Sequence, residues 1–216
     1  MNALELSGLV HRYQRSYVLR GTSLMLAQNQ ILALYGANGA GKTTLLKIIA
    51  TSLVPTRGGG SVLGIPLQNR LEIRARVGIV SHSLGFYPDL TGTENLEFAL
   101  SLHNKKANIH LALERVGLNS QNRVRAYSSG MRKRLALAKM LLLMPDLILL
   151  DEPFAALDPE GKNLVEDLML EQVKRGATLI IASHEPERTS KIATKSVMLE
   201  QGQIRELANP LLQERP

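Results

Sequence analysis

The sequence predicts an α/β protein with a largely parallel sheet and an inserted helical sub-domain. Short apolar runs alternate with helix-period segments along most of the 216 residues. A glycine-rich turn at residues 36–44 joins one such run to a helix-period segment. Residues 90–143 are predicted as consecutive helices without an intervening strand, and strand-rich sequence flanks them. We therefore expect a single domain over residues 1–216, with its helical sub-domain at about residues 90–143.

The predicted strands are short apolar runs bounded by turn-forming residues. They are residues 4–10, 23–27, 31–35, 77–80, 147–151, 177–182 and 196–200. The predicted helices begin near Gly41, Thr93, Ile109, Gly130, Glu160 and Glu185. Residues 57–61 contain three successive glycines and are predicted as a turn, because glycine adopts positive φ at little cost.

The composition excludes several classes of protein. The chain contains no cysteine, which excludes a disulfide framework and a thiolate metal site. The first residues lack the basic start and unbroken apolar run of a secretory signal. No run of about 18 consecutive apolar residues occurs, so any membrane role is expected to depend on a partner.

Residues 36–44, Gly-Ala-Asn-Gly-Ala-Gly-Lys-Thr-Thr, match the phosphate-binding pattern G-x-x-x-x-G-K-[ST] between a strand and a helix. Glycines let backbone N–H groups turn toward phosphates, and the following helix presents its positive end there. Lys42 is expected to reach the β- and γ-phosphates of ATP, and the Thr43 hydroxyl to bind Mg²⁺. The motif thus predicts a P-loop NTPase. Its predicted nucleotide contacts are Gly36, Ala37, Asn38, Gly39, Ala40, Gly41, Lys42, Thr43 and Thr44.

Two adjacent carboxylates end the apolar run at residues 147–151. Because the carboxyl ends of parallel strands face the ligand crevice, this pair should face the nucleotide. Asp151 is predicted to hold Mg²⁺ directly or through water, and Glu152 to polarise the attacking water as general base. His184 follows a later strand and is predicted to contact the γ-phosphate and that water. A satisfied turn residue is the alternative for His184.

The net charge of +7 includes basic clusters at residues 70–76 and 132–134. Nucleic acid or an anionic membrane surface is one class of partner for such clusters. Aromatic residues suited to base stacking make up only 4% of the chain. We therefore favour a solvated face on a protein that handles a polyanionic nucleotide, and we expect no nucleic-acid partner.

With these motifs in place, the chain resembles the ABC (ATP-binding cassette) ATPases over nearly its whole length. Residues 127–131, Tyr-Ser-Ser-Gly-Met, stand where that family has its Leu-Ser-Gly-Gly-Gln signature, at a helix start before the acidic strand. The resemblance implies that Ser128, Ser129 and Gly130 face the γ-phosphate bound by the opposite subunit of a dimer. It also implies that Asp158, in the Ala-Leu-Asp segment after the acidic pair, crosses the dimer interface.

Other positions match the family or depart from it. Tyr13 lies where the family keeps an aromatic residue that stacks on adenine, and Tyr17 is the competing candidate. His82 replaces the usual glutamine at the junction of the sheet and the helical sub-domain. Imidazole is a poorer Mg²⁺ ligand than an amide oxygen, so a water-mediated or sensing role is predicted for His82. Ser129 and Met131 replace a glycine and a glutamine of the signature.

Residues 86–98, His82 and the Ser-Ser-Gly-Met-Arg signature together resemble the haem-exporter ATPase of cytochrome c maturation. That resemblance implies a peripheral subunit on the cytoplasmic face of the bacterial inner membrane. There it would power integral membrane permease subunits as an ATP-dependent homodimer or heterodimer. The surface near residues 82–94 is expected to dock a cytoplasmic helix of the partner.

Three alternatives remain for the function. The first is the ATPase subunit of a multidrug or lipid exporter. The second is a non-transport ABC ATPase that acts on DNA or ribosomes. The third is a nucleotide-binding regulator without turnover, against which Glu152 argues because a pure binder needs no base beside the metal ligand.

Overall fold

The computed structural model describes residues 1–81, 85–119 and 121–207. The predicted site residue His82 lies outside the described residues. The strands are β1 (Asn2–Tyr13), β2 (Ser16–Ala27), β3 (Ile31–Tyr35), β4 (Arg57–Val62), β5 (Ile65–Pro66), β6 (Val77–Val80), β7 (Leu147–Asp151), β8 (Thr178–Ala182), β9 (Lys195–Glu200) and β10 (Gln203–Leu207). The helices are α1 (Lys42–Ile49), α2 (Arg70–Arg76), α3 (Gly92–Leu102), α4 (Ile109–Arg115), α5 (Ser129–Leu143), α6 (Pro159–Lys174) and α7 (Pro186–Ile192).

The strands form two sheets. The larger has the order β10-β9-β3-β8-β7-β6 and is parallel except for β10, which pairs antiparallel with β9. The smaller is antiparallel, with the order β2-β1-β4-β5. The α/β class with a largely parallel main sheet is therefore confirmed.

Strand β7 shows why the central strands are unbroken apolar runs. Ile148 and Leu150 belong to one hydrophobic cluster, whereas Leu147 and Leu149 belong to a second cluster. Successive side chains of a strand point to opposite faces, and both faces of this strand are covered. The strand consequently brings Asp151 to the edge of the sheet on a rigid, fully buried support.

Helices occupy most of residues 90–143, as the sequence predicts. Helix α3 begins at a capping box, in which the Glu94 N–H donates to the Thr91 hydroxyl and the Glu94 carboxylate accepts from the Thr91 N–H. Among the described residues of this segment, extended pairing is limited to one isolated bridge between Thr91 and Arg123. Its apolar side chains share the cluster that covers Ile148 and Leu150.

The turn predicted at residues 57–61 is wrong, because these residues belong to β4 and pair with β1. A Cβ atom on Gly60 would lie 1.9 Å from the Glu5 carbonyl oxygen, and one on Gly58 would lie 2.3 Å from the Gly8 carbonyl oxygen. The glycines therefore permit the close approach of two strands rather than a reversal of the chain. Strands β1 and β2 are also longer than predicted, and α2, β5 and β10 were not predicted.

The basic cluster at residues 70–76 forms α2, and its side chains are partly structural. Arg70 and Arg74 each donate to the Thr51 carbonyl oxygen, at 2.7 and 2.8 Å. Arg76 pairs with Asp146 at 2.7 Å. Arg74 and Arg76 are nevertheless exposed and Arg70 is partly buried, so the cluster lies on a solvated face, as expected, while its guanidinium groups also bind neighbouring segments. No helix within the described ranges is long and apolar enough to cross a bilayer.

Candidate nucleotide-binding site

The phosphate loop, residues 36–44, needs glycine for both conformation and space. Gly36 and Gly41 have φ values of 153° and 108°, which favour glycine. A Cβ atom on Gly36 would lie 2.6 Å from the Leu199 carbonyl oxygen, and one on Gly41 would lie 2.9 Å from Val18. The loop is therefore held between β9 and β2, and α1 begins directly after Gly41.

Lys42 is buried and bends back over the loop. Its ammonium group donates to the carbonyl oxygens of Gly36 at 2.6 Å and Ala37 at 3.3 Å. Because these carbonyls hold the ammonium group at the loop, a positive charge is already placed where phosphate oxygens would arrive. The position agrees with the phosphate-binding role predicted for Lys42.

Thr43 and Asp151 meet although they are 108 residues apart in the chain. The Thr43 hydroxyl donates to the Asp151 Oδ2 atom at 2.7 Å, and Asp151 is only 3% exposed. This pair offers two hard oxygen donors beside the phosphate loop, which suits Mg²⁺. The donor set therefore fits the predicted metal ion.

Glu152 lies next to Asp151 and contacts His184. Its Oε2 atom is 2.7 Å from the His184 Nδ1 atom, and its backbone N–H donates to the Ala182 carbonyl oxygen at 2.8 Å. Glu152 has a φ of 51°, a left-handed conformation that non-glycine residues adopt at a cost. Strands β7 and β8 thus bring the predicted base and the predicted histidine together.

A cavity of about 390 Å³ joins these groups. Seven of the nine predicted loop residues line it, and Gly36 and Ala40 do not. Asp151, Glu152 and Tyr13 also line it, whereas its described lining does not include the competing Tyr17. The full described lining is Tyr13, Val18, Ala37, Asn38, Gly39, Gly41, Lys42, Thr43, Thr44, Asp151 and Glu152.

Tyr13 forms the open side of this cavity. Tyr13 is 47% exposed, its hydroxyl lies 3.5 Å from the Thr44 hydroxyl, and its ring and that of His11 form a T-shaped pair with centroids 4.8 Å apart. The ring is therefore supported from within the protein while one side stays open to a ligand. Val18 also lines the cavity, and no motif in the sequence marked it.

The signature segment lies apart from this cavity. Ser128 is the N-cap of α5, and its hydroxyl accepts from the Met131 N–H at 3.1 Å. Ser128 and Ser129 are exposed, and the described lining of the cavity includes neither them nor Gly130. Asp158 is exposed, caps α6 and accepts from the Gly161 N–H at 3.1 Å. A single copy of the chain therefore does not bring these four residues to its own phosphate loop.

Lys133 is a residue that the sequence reasoning missed. It is 6% exposed, and its ammonium group donates to the carbonyl oxygens of Glu152 and Ala155. Burial lowers the pKa of Lys133, and the nearby carboxylates of Glu152 and Asp151 oppose that effect. The prediction of a solvated face at residues 132–134 is wrong for this side chain. No local pattern distinguishes it from its basic neighbours.

The chain is similar in sequence to members of a known protein family. A family profile described as "ABC transporter" matches residues 19–155. An uncharacterized ABC transporter ATP-binding protein of Nostoc sp. is 37% identical over 200 residues, which are 88% of this chain and 59% of that protein. The Nod factor export ATP-binding protein I of Paraburkholderia xenovorans is 32% identical over 208 residues, 93% of this chain and 68% of that protein.

The fold is similar to that of a solved structure. A dimeric ATP-binding cassette in a post-hydrolysis state, bound to ADP and Pi, superposes with a TM-score of 0.86 and 23% identity. That match covers 95% of this chain and 99% of the other, and at this identity it shows the fold. From the family profile and the identity to its relatives, the chain belongs to the ABC transporter family as an ATP-binding subunit.

Proposed function

We propose that this chain hydrolyses ATP with Mg²⁺ and thereby powers a separate membrane permease. The observation that carries the proposal is the Thr43–Asp151 contact at 2.7 Å, with Glu152 beside it in the cavity of the phosphate loop. Oxygen ligands for a metal ion, a lysine for phosphates and a carboxylate base thus converge on one space. This set is what phosphoryl transfer to water requires.

Each of the residues at the site would have a separate role in binding and hydrolysing ATP. Backbone N–H groups of the loop and the Lys42 ammonium bind the phosphates, while the open face of Tyr13 takes the adenine. Thr43 and Asp151 would hold Mg²⁺, which when bound would neutralise charge on the phosphates. The reaction then depends on positioning one water molecule opposite the bond that breaks.

Glu152 would take a proton from that water as the water oxygen bonds to phosphorus and the β–γ bridging oxygen leaves with ADP. The contact of 2.7 Å to the His184 imidazole supports a role for His184 in orienting this carboxylate. The side chain of Glu152 is 15% exposed and lines the cavity, whereas that of His184 is 61% exposed and is not part of the cavity's described lining. We propose that His184 also contacts the γ-phosphate, from outside that lining.

Two copies of an ATP-binding subunit would complete the site. Ser128, Ser129 and Gly130 form a helix start outside the cavity, and a helix start with a hydroxyl group suits an anion. We propose that this start binds the γ-phosphate held by the opposite subunit, with Asp158 crossing the interface. The dimeric state of the similar cassette supports this arrangement. The second copy is this chain again or a related one.

The permease would dock on the helical sub-domain that we propose for residues 90–143 and on the residues just before it. Tyr87 and Phe98 support this surface, because their rings stack edge to face at 5.1 Å while they are 51% and 40% exposed. Leu102, one turn after Phe98, is 68% exposed. We propose that these exposed apolar side chains form part of the docking surface. The subunit would then lie peripherally on the cytoplasmic face of the inner membrane.

Purification tests the docking surface. A tagged chain carrying Phe98→Asp should lose the integral membrane proteins that co-purify with the wild type from detergent-solubilised membranes. Leu170→Asp is the matched control, because Leu170 is a similarly exposed apolar residue on α6. Equal recovery of membrane proteins with both variants would contradict the proposed surface.

For the cargo class we propose haem export in cytochrome c maturation, on the resemblance of residues 86–98 and of the signature segment. The description of one relative as a Nod factor export protein supports export as the direction. A multidrug or lipid exporter is the alternative. A strain whose only copy carries Lys42→Ala should lose haem attachment to c-type cytochromes. Normal cytochromes in that strain would exclude the haem assignment and leave the alternative.

Glu152→Gln tests the hydrolytic function itself. The variant should bind Mg²⁺-ATP normally, hydrolyse it at least about a hundredfold more slowly, and accumulate as a dimer. Turnover is measured by phosphate release, and the dimer by light scattering. Glu160→Gln, at an exposed carboxylate on the first turn of α6, should behave as the wild type. Wild-type turnover in Glu152→Gln would refute the assignment of the base.

A further inference from the structure

Lys133 is a buried lysine that the hydrolytic scheme above does not use. It lies five residues after the N-cap of α5, and its ammonium group contacts the turn that follows β7. The hydrogen bond to the Ala155 carbonyl oxygen measures 2.9 Å, and a second reaches the Glu152 carbonyl oxygen. In the described part of the chain, Lys133 forms no ion pair. Its ammonium group therefore binds backbone carbonyls of one turn, while the carboxylates of Glu152, Asp151 and Glu185 act on its charge from nearby.

That turn, residues 152–156, is held in an unusual shape. Glu152 and Ala156 have φ values of 51° and 62°, so two non-glycine residues adopt left-handed conformations within five positions. Such conformations persist only where the surroundings enforce them. Within the turn, the Ala155 N–H reaches the Glu152 carbonyl oxygen at 3.3 Å, while Phe154 is fully buried. The two bonds from Lys133 add a charged anchor to this turn.

The start of α5 touches the same region at two further points. A Cβ atom on Gly130 would lie 3.0 Å from the Ala156 carbonyl oxygen, so the helix and the turn approach closely there. Arg134 donates to the Asp158 Oδ1 atom at 3.4 Å. The helix that carries the signature segment and the turn that carries Glu152 are therefore in direct contact.

We propose that Lys133 is a positioning residue that couples the signature segment to Glu152. The inference rests on the proposed function, because it concerns the regulation of the same hydrolytic site. When the signature segment binds the phosphate of the opposite subunit, a shift of α5 moves the Lys133 ammonium. The carbonyl oxygens of Glu152 and Ala155 follow, because a buried cation that leaves them loses charge-assisted hydrogen bonds. The base is thus aligned when the dimer closes.

Lys133→Met tests the proposal on the full chain with Mg²⁺-ATP as the probe. Methionine keeps most of the volume and removes the charge, so kcat should fall about tenfold or more while KM and nucleotide affinity change by less than about threefold. Lys139→Met is the matched control. Lys139 lies on the same helix, burial lowers the pKa of Lys139 too, and its ammonium group lies 5.9 Å from the Phe86 ring centroid rather than at the turn. The Lys139→Met variant should keep the wild-type kcat.

A double variant separates positioning from general loss of structure. In the Glu152→Gln background, adding Lys133→Met should not lower the residual hydrolysis further, because Lys133 acts through Glu152. A full additive loss, or equal kcat in Lys133→Met and wild type, would overturn the proposal. Should Lys133→Met not fold, Lys133→Gln replaces it under the same expectations. A wild-type rate in Glu152→Gln alone would instead refute the proposed function.

Chemical rescue gives an independent readout. Because the chain contains no cysteine, Lys133→Cys carries a single thiol, and 2-bromoethylamine converts it to a side chain with a terminal ammonium group of nearly the original length. Alkylation in denaturant followed by refolding should restore part of kcat, with Lys139→Cys treated identically as the control. No recovery in refolded, fully alkylated Lys133→Cys would count against the role of the charge.

Discussion

The phosphate loop and the signature segment differ in how one chain supports them. The loop at residues 36–44 is enclosed by Val18, Leu199 and Asp151, and its lysine is buried. The signature segment, residues 128–130, is a helix start whose serines are exposed and whose hydrogen bond from Met131 is local. The loop is therefore complete before any partner arrives, whereas the signature segment presents its groups outward. We infer that a single copy of the chain binds nucleotide, whereas hydrolysis requires two copies.

The largest effect is expected from a substitution in the enclosed phosphate loop. Lys42→Ala removes a buried ammonium that two carbonyls hold in place, so affinity for Mg²⁺-ATP should fall about a hundredfold or more. Titration with a fluorescent nucleotide measures it. Lys47→Ala, on the same helix, should leave the affinity unchanged. Near-normal binding by Lys42→Ala would mean that the loop does not hold the phosphates.

A substitution in the exposed signature segment should instead preserve ATP binding and prevent dimer formation. Ser129→Asp places a carboxylate where we propose the opposite subunit's phosphate, yet an acidic residue at a helix start does not destabilise the helix. The affinity for ATP should stay within about twofold of the wild type. In the Glu152→Gln background, Ser129→Asp should abolish the dimer, and in the otherwise wild-type chain it should lower the rate of hydrolysis at least about tenfold.

The control for that variant is Ser101→Asp, which adds the same charge to an exposed position near the end of α3. Light scattering with Mg²⁺-ATP should show a dimer for the control and a monomer for Ser129→Asp. A stable dimer in both cases would indicate that the two copies meet through another surface.

A smaller effect is expected at the rim of the cavity. Tyr13→Ala should weaken ATP binding about tenfold, because stacking on an aromatic ring contributes about 1–3 kcal/mol per base. Tyr13→Phe should retain most of the affinity, and Tyr17→Ala should retain all of it. Loss of affinity in Tyr17→Ala with none in Tyr13→Ala would reverse the assignment of the adenine-stacking residue.

The smallest effect concerns a helix cap that belongs to neither region. Thr91→Ala removes the capping box of α3 and should lower the melting temperature by about 2–4 °C without changing nucleotide affinity. Hydrogen bonds from the Thr91 N–H and hydroxyl lower the pKa of Glu94 below its ordinary value of 4.5. The ionised Glu94 carboxylate therefore contributes fully to stability above pH 4.5, and this part of the cap's contribution is lost as the pH falls through the lowered value, while the hydrogen bond from the Glu94 N–H to the Thr91 hydroxyl remains. Thr93→Ala, one residue inside the helix, is the control.

Some of the residues in these predictions could be identified as functional from the sequence, and others could not. Residues 36–44 and the Asp151–Glu152 pair were recognisable because a loop between a strand and a helix, and carboxylates at a strand end, are contiguous patterns. The three glycines of residues 57–61 misled the prediction, because glycine serves a turn and a close strand approach equally well. The basic residues 132–134 look alike in sequence, yet Lys133 is buried and Arg132 is exposed.

By itself, the sequence determined the alternation of strands and helices, the phosphate-loop motif and the acidic strand end, since each depends on neighbouring residues. The tertiary structure decided which distant groups meet. It brought Thr43 to Asp151 across 108 positions and Lys133 to the turn after β7. The physical reason is that packing of the sheet and helices, rather than local pattern, sets distances between remote segments.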